Sequence, residues 1–126
     1  MNLVVAVYRV SGRLPKEERY GFGQQIGRVA VSVPSNIAEG HARRSKREYL
    51  QFVSVALGSL GELETQLLLI DRLGIAPRTD IDGVLASTED IGRMLRGLET
   101  ALATRLIRAR DRTPIAYRPS PIASNA

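Results

Sequence analysis

The chain has 126 residues, 44% of them hydrophobic, with no cysteine or tryptophan and only six aromatic side chains. That is enough for one domain with a genuine core. It excludes disulfides and thiolate metal sites, and fits a reducing, cytoplasmic setting. The formal net charge is +5, but residues 1–104 are nearly balanced, and Arg105, Arg108, Arg110, Arg112 and Arg118 face Asp111 alone in the remainder. The apolar run Leu3–Val7 is short and has no basic lead, unlike a signal peptide. No stretch approaches the ~18 uninterrupted apolar residues of a membrane span, so no membrane partner is expected.

Along the chain, Leu3, Val7 and Val10 recur at spacings of four and three, which predicts a short first helix from Asn2 to Arg13. Its β-branched content leaves a strand as the competing assignment. Pro15 breaks the chain, the acidic residues of Lys16-Glu17-Glu18 suit a first helical turn, and a second helix should run from about Glu18 to Glu39. Phe22, Ile26, Val29, Val33 and Ile37 form its apolar stripe. Gln25, Arg28, Ser32, Asn36 and Glu39 form a polar one. Pro34 lies inside this helix and predicts a kink. Gly40 is expected to end it in the left-handed conformation.

Ser45 with Glu48 reads as a capping box that opens the third helix. This helix should run to Leu73, with Gly74 as its stop. Tyr49, Phe52, Ala56, Leu60, Leu63, Leu67 and Ile70 form its main apolar stripe. Ser54, Gly58, Gly61 and Thr65 form a stripe of small residues on another side, suited to close helix packing within or between subunits. Leu50, Val53 and Leu57 widen the apolar surface, so the helix is expected to be covered on several sides. Thr79 or Asp80 should cap a fourth helix, striped by Ile81, Val84 or Leu85, Thr88, Ile91, Leu95, Leu98 and Leu102. It should end near Leu106. The fold class is therefore all-α: an antiparallel four-helix bundle over 1–106, with a short first helix and a long, largely buried third. Residues 107–126, rich in Arg, Pro and small residues, are expected to form a basic, disordered tail.

The residues do not assemble a reaction centre. His41 is the only histidine, and no acid or nucleophile is clustered with it. Glu39, Glu48, Glu62 and Glu64 lack the Glu-x-x-His pairing of ferritin-like sites. No catalytic residue, metal ligand or cofactor is assigned. Arg28, Ser32, Asn36 and Glu39 are read as a structural polar network, in which Ser32 or Asn36 meets the backbone freed by Pro34. Arg43, Arg44, Lys46 and Arg47 make the densest basic cluster of the body, suited to phosphates without base specificity.

The segment from Leu14 to Leu73 resembles the four-helix-bundle family of proteins encoded in intervening sequences of bacterial 23S ribosomal RNA genes. The resemblance is carried by Pro15-Lys16-Glu17-Glu18-Arg19-Tyr20-Gly21, by Gln25-Ile26 and Arg28, by Asn36-Ile37-Ala38-Glu39-Gly40, and by Gly58-Ser59-Leu60 with Glu62-Leu63-Glu64-Thr65-Gln66-Leu67. That family is similar to the accessory variability determinant of diversity-generating retroelements, a basic pentameric barrel that partners a reverse transcriptase and nucleic acid. The resemblance implies a ring-shaped homo-oligomer, a pentamer, with RNA or DNA and a nucleic-acid enzyme as candidate partners. Members usually carry a longer first helix, which implies a start upstream of Met1. They also carry two basic residues after Gln-Ile, where this chain has Gly27 and Arg28. The expected function is a non-enzymatic oligomeric scaffold associated with nucleic acid, with a protein-binding adaptor as the alternative.

Overall fold

A computed structural model describes residues 2–111, which form four α-helices and, among the described residues, no strand. Helix α1 spans Asn2–Arg13, α2 Gln24–His41, α3 Lys46–Arg72 and α4 Arg78–Asp111. They pack as an antiparallel bundle. α2 lies most extensively on α3 and α3 on α4, while α1 closes the bundle against α2 and α4.

Leu3, Val7, Val10 and Leu14 are all buried, so the spacing of four and three is helical and the strand alternative is out. α2 contributes Ile26, Ala30 and Val33 to the core, α3 contributes Val53, Ala56, Leu60, Leu63, Leu67 and Ile70, and α4 contributes Ile81, Val84, Leu95 and Leu102. Phe22, Val29, Ile37, Tyr49, Leu85, Ile91 and Leu98 pack around its rim. Thr88 is fully buried; its hydroxyl donates to the Leu85 carbonyl at 2.8 Å, which makes the burial tolerable. Gln66 is also buried, and its Oε1 has no protein partner.

The ends of the helices show where local signals hold. Ser45 Oγ accepts from the Glu48 N–H at 3.2 Å, so α3 starts at its expected cap. Gly74 has φ 67°, Ile75 N–H donates to the Ile70 carbonyl and Gly74 N–H to that of Asp71. This is a Schellman ending. α4 starts one or two residues before the expected cap, at Arg78. Asp80 instead sits in its first turn and accepts from Arg13 at 3.0 Å, tying the end of α1 to the start of α4.

Two expectations fail at α2. Its N-terminal part is not regular helix: Lys16–Glu18 forms a 3₁₀ turn and Arg19–Gly23 a π turn before the α-helix begins. Nor does Gly40 take a left-handed conformation, since Gly74 alone among the described residues has positive φ. Gly40 is a buried residue inside α2. A Cβ there would stand 2.7 Å from Phe52 Cβ and 3.0 Å from Tyr49 Cδ1. Glycine is needed at that position for close approach to α3, and the helix runs on to His41. α2 also continues through Pro34 without a break.

α3 has the length and hydropathy of a membrane span, but Leu60, Leu63, Leu67 and Ile70 are taken up by the core. Its outer side is less covered than the sequence suggests. Ser54, Val55, Gly58, Gly61, Thr65, Leu68, Leu69 and Leu73 are not buried, and Val55, Leu68, Leu69 and Leu73 are among the most exposed large apolar side chains. α4 continues past the expected boundary to Asp111; the rest of the Arg-rich tail lies outside the described residues.

Candidate functional site

The antiparallel packing of α3 and α4 sets what lies at each end of the bundle. Ser54 Oγ donates to Glu99 Oε2 at 3.2 Å, and Leu60 Cδ2 comes within 3.4 Å of the Cβ position of Gly92. Continuing that register toward the start of α3 brings Lys46 and Arg47 level with Ile107 and Leu106. The loop after α2 and the last turns of α4 therefore share one end of the molecule. The two basic regions, far apart in sequence, lie at this same end: Arg43, Arg44, Lys46 and Arg47 in the loop and the start of α3, and Arg105, Arg108 and Arg110 in α4. The acids at this end are Glu39 in the last turn of α2, Glu48 in the first turn of α3 and Asp111 at the end of α4.

The loop cluster is internally divided. Arg43 is committed: it pairs with Glu39 at 2.5 Å, stands 3.9 Å from Glu48 and lies 5.0 Å over the Phe52 ring. It braces the turn between α2 and α3. Among the described residues Arg44, Lys46 and Arg47 make no hydrogen bond or ion pair, and all three are exposed. His41 lies against Tyr49, edge to face at 5.8 Å. Among the described residues, no group of His, Cys, Asp or Glu is arranged to hold a metal ion.

The polar stripe of α2 is not one network. Ser32 Oγ and Ser59 Oγ share a hydrogen bond of 2.7 Å that links α2 to α3. The Asn36 amide donates to the Ser32 carbonyl at 2.7 Å and to Ser32 Oγ at 3.0 Å. The carbonyl that Pro34 deprives of its donor is that of Ala30, so Asn36 serves a different backbone group. Glu39 belongs with Arg43 at the loop. Arg28 stands apart, exposed and with no hydrogen-bond or ion-pair partner among the described residues.

The two glycines of the small-residue stripe are not used for packing among the described residues. A Cβ at Gly58 or Gly61 would meet nothing within 4 Å. Ser54 bonds to Glu99, and Thr65 donates to the Gly61 carbonyl at 3.1 Å. With Val55, Leu68, Leu69 and Leu73 these residues make an outer face of α3 on which Glu62 and Arg72 are the charged side chains. Among the described residues nothing covers it.

Sequence reasoning missed a second locus, between α1 and the start of α2. Gly23 and Gly27 lie one turn apart, and both are buried. A Cβ at Gly23 would stand 2.7 Å from Ser11 Oγ, and one at Gly27 would stand 3.2 Å from Tyr8 Cε1. The pair forms a notch that receives Tyr8 and Ser11. Beside it opens a cavity of about 500 Å³ lined by Tyr8, Ser11, Gln24, Arg28 and Val31 with the two glycines. A second, of about 490 Å³, adjoins it through Gln24 and Arg28 and is bordered by Glu18, Tyr20, Phe22 and Gln25. The available signal was Gly23-x-x-x-Gly27 set against Tyr8 and Ser11, a three-residue spacing on α1.

The family model for the 23S rRNA-intervening sequence protein matches residues 1–97. The chain belongs to that family. The match takes in α1 to α3 and α4 as far as Gly97, so the basic end of α4 lies beyond it. No curated protein matches the chain.

Proposed function

We propose that the protein is a non-enzymatic, homo-oligomeric scaffold that holds nucleic acid electrostatically at the basic end of the bundle. The reading is carried by the α3–α4 register, which puts the exposed Arg44, Lys46 and Arg47 at the same end of the bundle as Arg105, Arg108 and Arg110. Side chains of this kind neutralise phosphates without reading bases, and release counterions as they do so. Assembly through the outer face of α3 would multiply the basic end around a ring, five-fold if the pentamer implied by the family resemblance holds.

The assembly surface is supported by its composition. Exposed apolar side chains on a nearly uncharged helix face mark association sites, and glycines let a neighbouring helix approach closely. Gly58→Leu tests this, because among the described residues nothing lies within 4 Å of the added Cβ. The variant subunit should fold while its assembly mass, measured by multi-angle light scattering, falls. An unchanged mass would remove this face from the assembly. For nucleic acid, anisotropy with labelled RNA and duplex DNA should show binding at low salt that weakens steeply as salt rises. If no nucleic acid binds at low salt, the protein-binding adaptor becomes the better account, with the open α3 face as its docking surface.

A further inference from the structure

We propose that the paired cavities around Arg28 form a pocket for one unpaired nucleotide of a single strand, with the base against Tyr8 or Tyr20 and its phosphate on Arg28. This rests on the nucleic-acid reading but uses a different part of the molecule. Three observations carry it. First, aromatic side chains are scarce, yet the two exposed tyrosines among the described residues, Tyr8 at 57% and Tyr20 at 79%, both border this groove. Tyr49, Phe22 and Phe52 are all half-buried. Second, Arg28 lines both cavities and has no partner among the described residues, so its guanidinium is free to take a phosphate through two N–H donors at once. Third, the walls between are neutral and hydrogen-bonding: Gln24 lines both cavities, Ser11 the first and Gln25 the second.

The seat of Tyr8 is built rather than incidental. Three ring atoms, Cε1, Cζ and Cδ1, lie 3.2 to 3.8 Å from the Cβ position of Gly27. Any larger residue at 27 would press on the ring. One side of Tyr8 therefore rests on α2, and the rest of it remains open to the cavity. The π turn Arg19–Gly23 carries Tyr20 to the other side of Arg28; such turns often occur at functional sites.

The chemistry selects the ligand. Volumes near 500 Å³ suit a small-molecule unit, whereas a duplex keeps its base faces stacked and cannot present one to a tyrosine. An acidic peptide would satisfy Arg28 but leave both rings unused. Glu18 borders the second cavity only, so the phosphate sits on the side of Arg28 away from Glu18, and the neutral base is left to lie against a tyrosine ring. Base–aromatic stacking is sequence-tolerant because every base has a π face.

The test uses the full chain and a single strand of about ten nucleotides carrying one 2-aminopurine, compared with a duplex of the same sequence. Binding should quench the 2-aminopurine in the single strand. Tyr8→Leu and Arg28→Gln should each weaken single-strand binding by roughly five- to a hundred-fold, the effect expected of one base stack or one charge-assisted hydrogen bond. Both should leave duplex binding unchanged. Tyr8→Phe should restore the single-strand affinity, and the highly exposed Tyr20→Ala serves if Tyr8→Leu does not fold. If duplex and single strand bind alike and the variants change neither, the pocket is overturned while the electrostatic scaffold stands. The same holds if poly-glutamate displaces the strand from wild type and not from Arg28→Gln, because the groove is then a peptide site. If neither nucleic acid binds, both proposals fall.

Discussion

Gly40→Ala isolates the close approach of α2 to α3. In an exposed helix interior this change is favourable by roughly 1 kcal/mol, because alanine loses less backbone entropy. At Gly40 the added methyl would stand 2.7 Å from Phe52 Cβ, 3.0 Å from Tyr49 Cδ1 and 3.4 Å from the Tyr49 carbonyl. Carbon atoms settle at about 3.5–4.0 Å, so the helices must part by about 1 Å. A tyrosine ring can rotate away, but Phe52 Cβ is fixed to the α3 backbone. Parting the helices also strains the Ser32–Ser59 hydrogen bond, which spans the same interface at 2.7 Å. The overpacking penalty should then lie near the top of the usual range, about 3 kcal/mol. Less the propensity gain, about 2 kcal/mol of destabilisation remains. For a helical body of this size that lowers the melting temperature by about 8–12 °C. Gly97→Ala is the control, since among the described residues its methyl meets nothing within 4 Å; it should be stabilising by up to about 1 kcal/mol. Urea unfolding at matched protein concentration reads both. A Gly40→Ala variant as stable as wild type, or more so, would refute the packing argument.

Ser45→Ala removes the oxygen that accepts the Glu48 N–H and should cost about 0.5–2 kcal/mol in denaturant unfolding. Gln66→Leu replaces a buried amide whose Oε1 has no protein partner; thermal melts should show it neutral or stabilised by about 1 kcal/mol. Arg44→Gln, Lys46→Gln and Arg47→Gln combined should flatten the slope of log affinity against log salt, by roughly 0.7–0.9 for each phosphate left unneutralised. Arg43→Gln alone should change that slope little and lower stability instead, because Arg43 is held by Glu39, Glu48 and Phe52.

What was legible in the sequence is what depends on neighbours along the chain. The four-and-three spacing of Leu3, Val7 and Val10, the Ser45 cap and the Gly74 stop each act within one or two turns, and each appears in the structure. The helical stripes likewise identified most of the core, because a helix repeats every 3.6 residues whatever it packs against. The meaning of the glycines and of the charges was not legible in that way. Gly40 looked like a helix stop and instead lies against Phe52. Gly58 suited close packing within or between subunits, and among the described residues nothing in its own chain takes up the space beside it. Arg43 looked like part of a phosphate site and braces a turn, whereas Arg28 looked like part of a network and stands free beside Tyr8. A missing side chain or a long charged one has no local signature of its purpose. Only the antiparallel register of the helices decides what stands opposite it, and that register is set by core burial summed over all four helices.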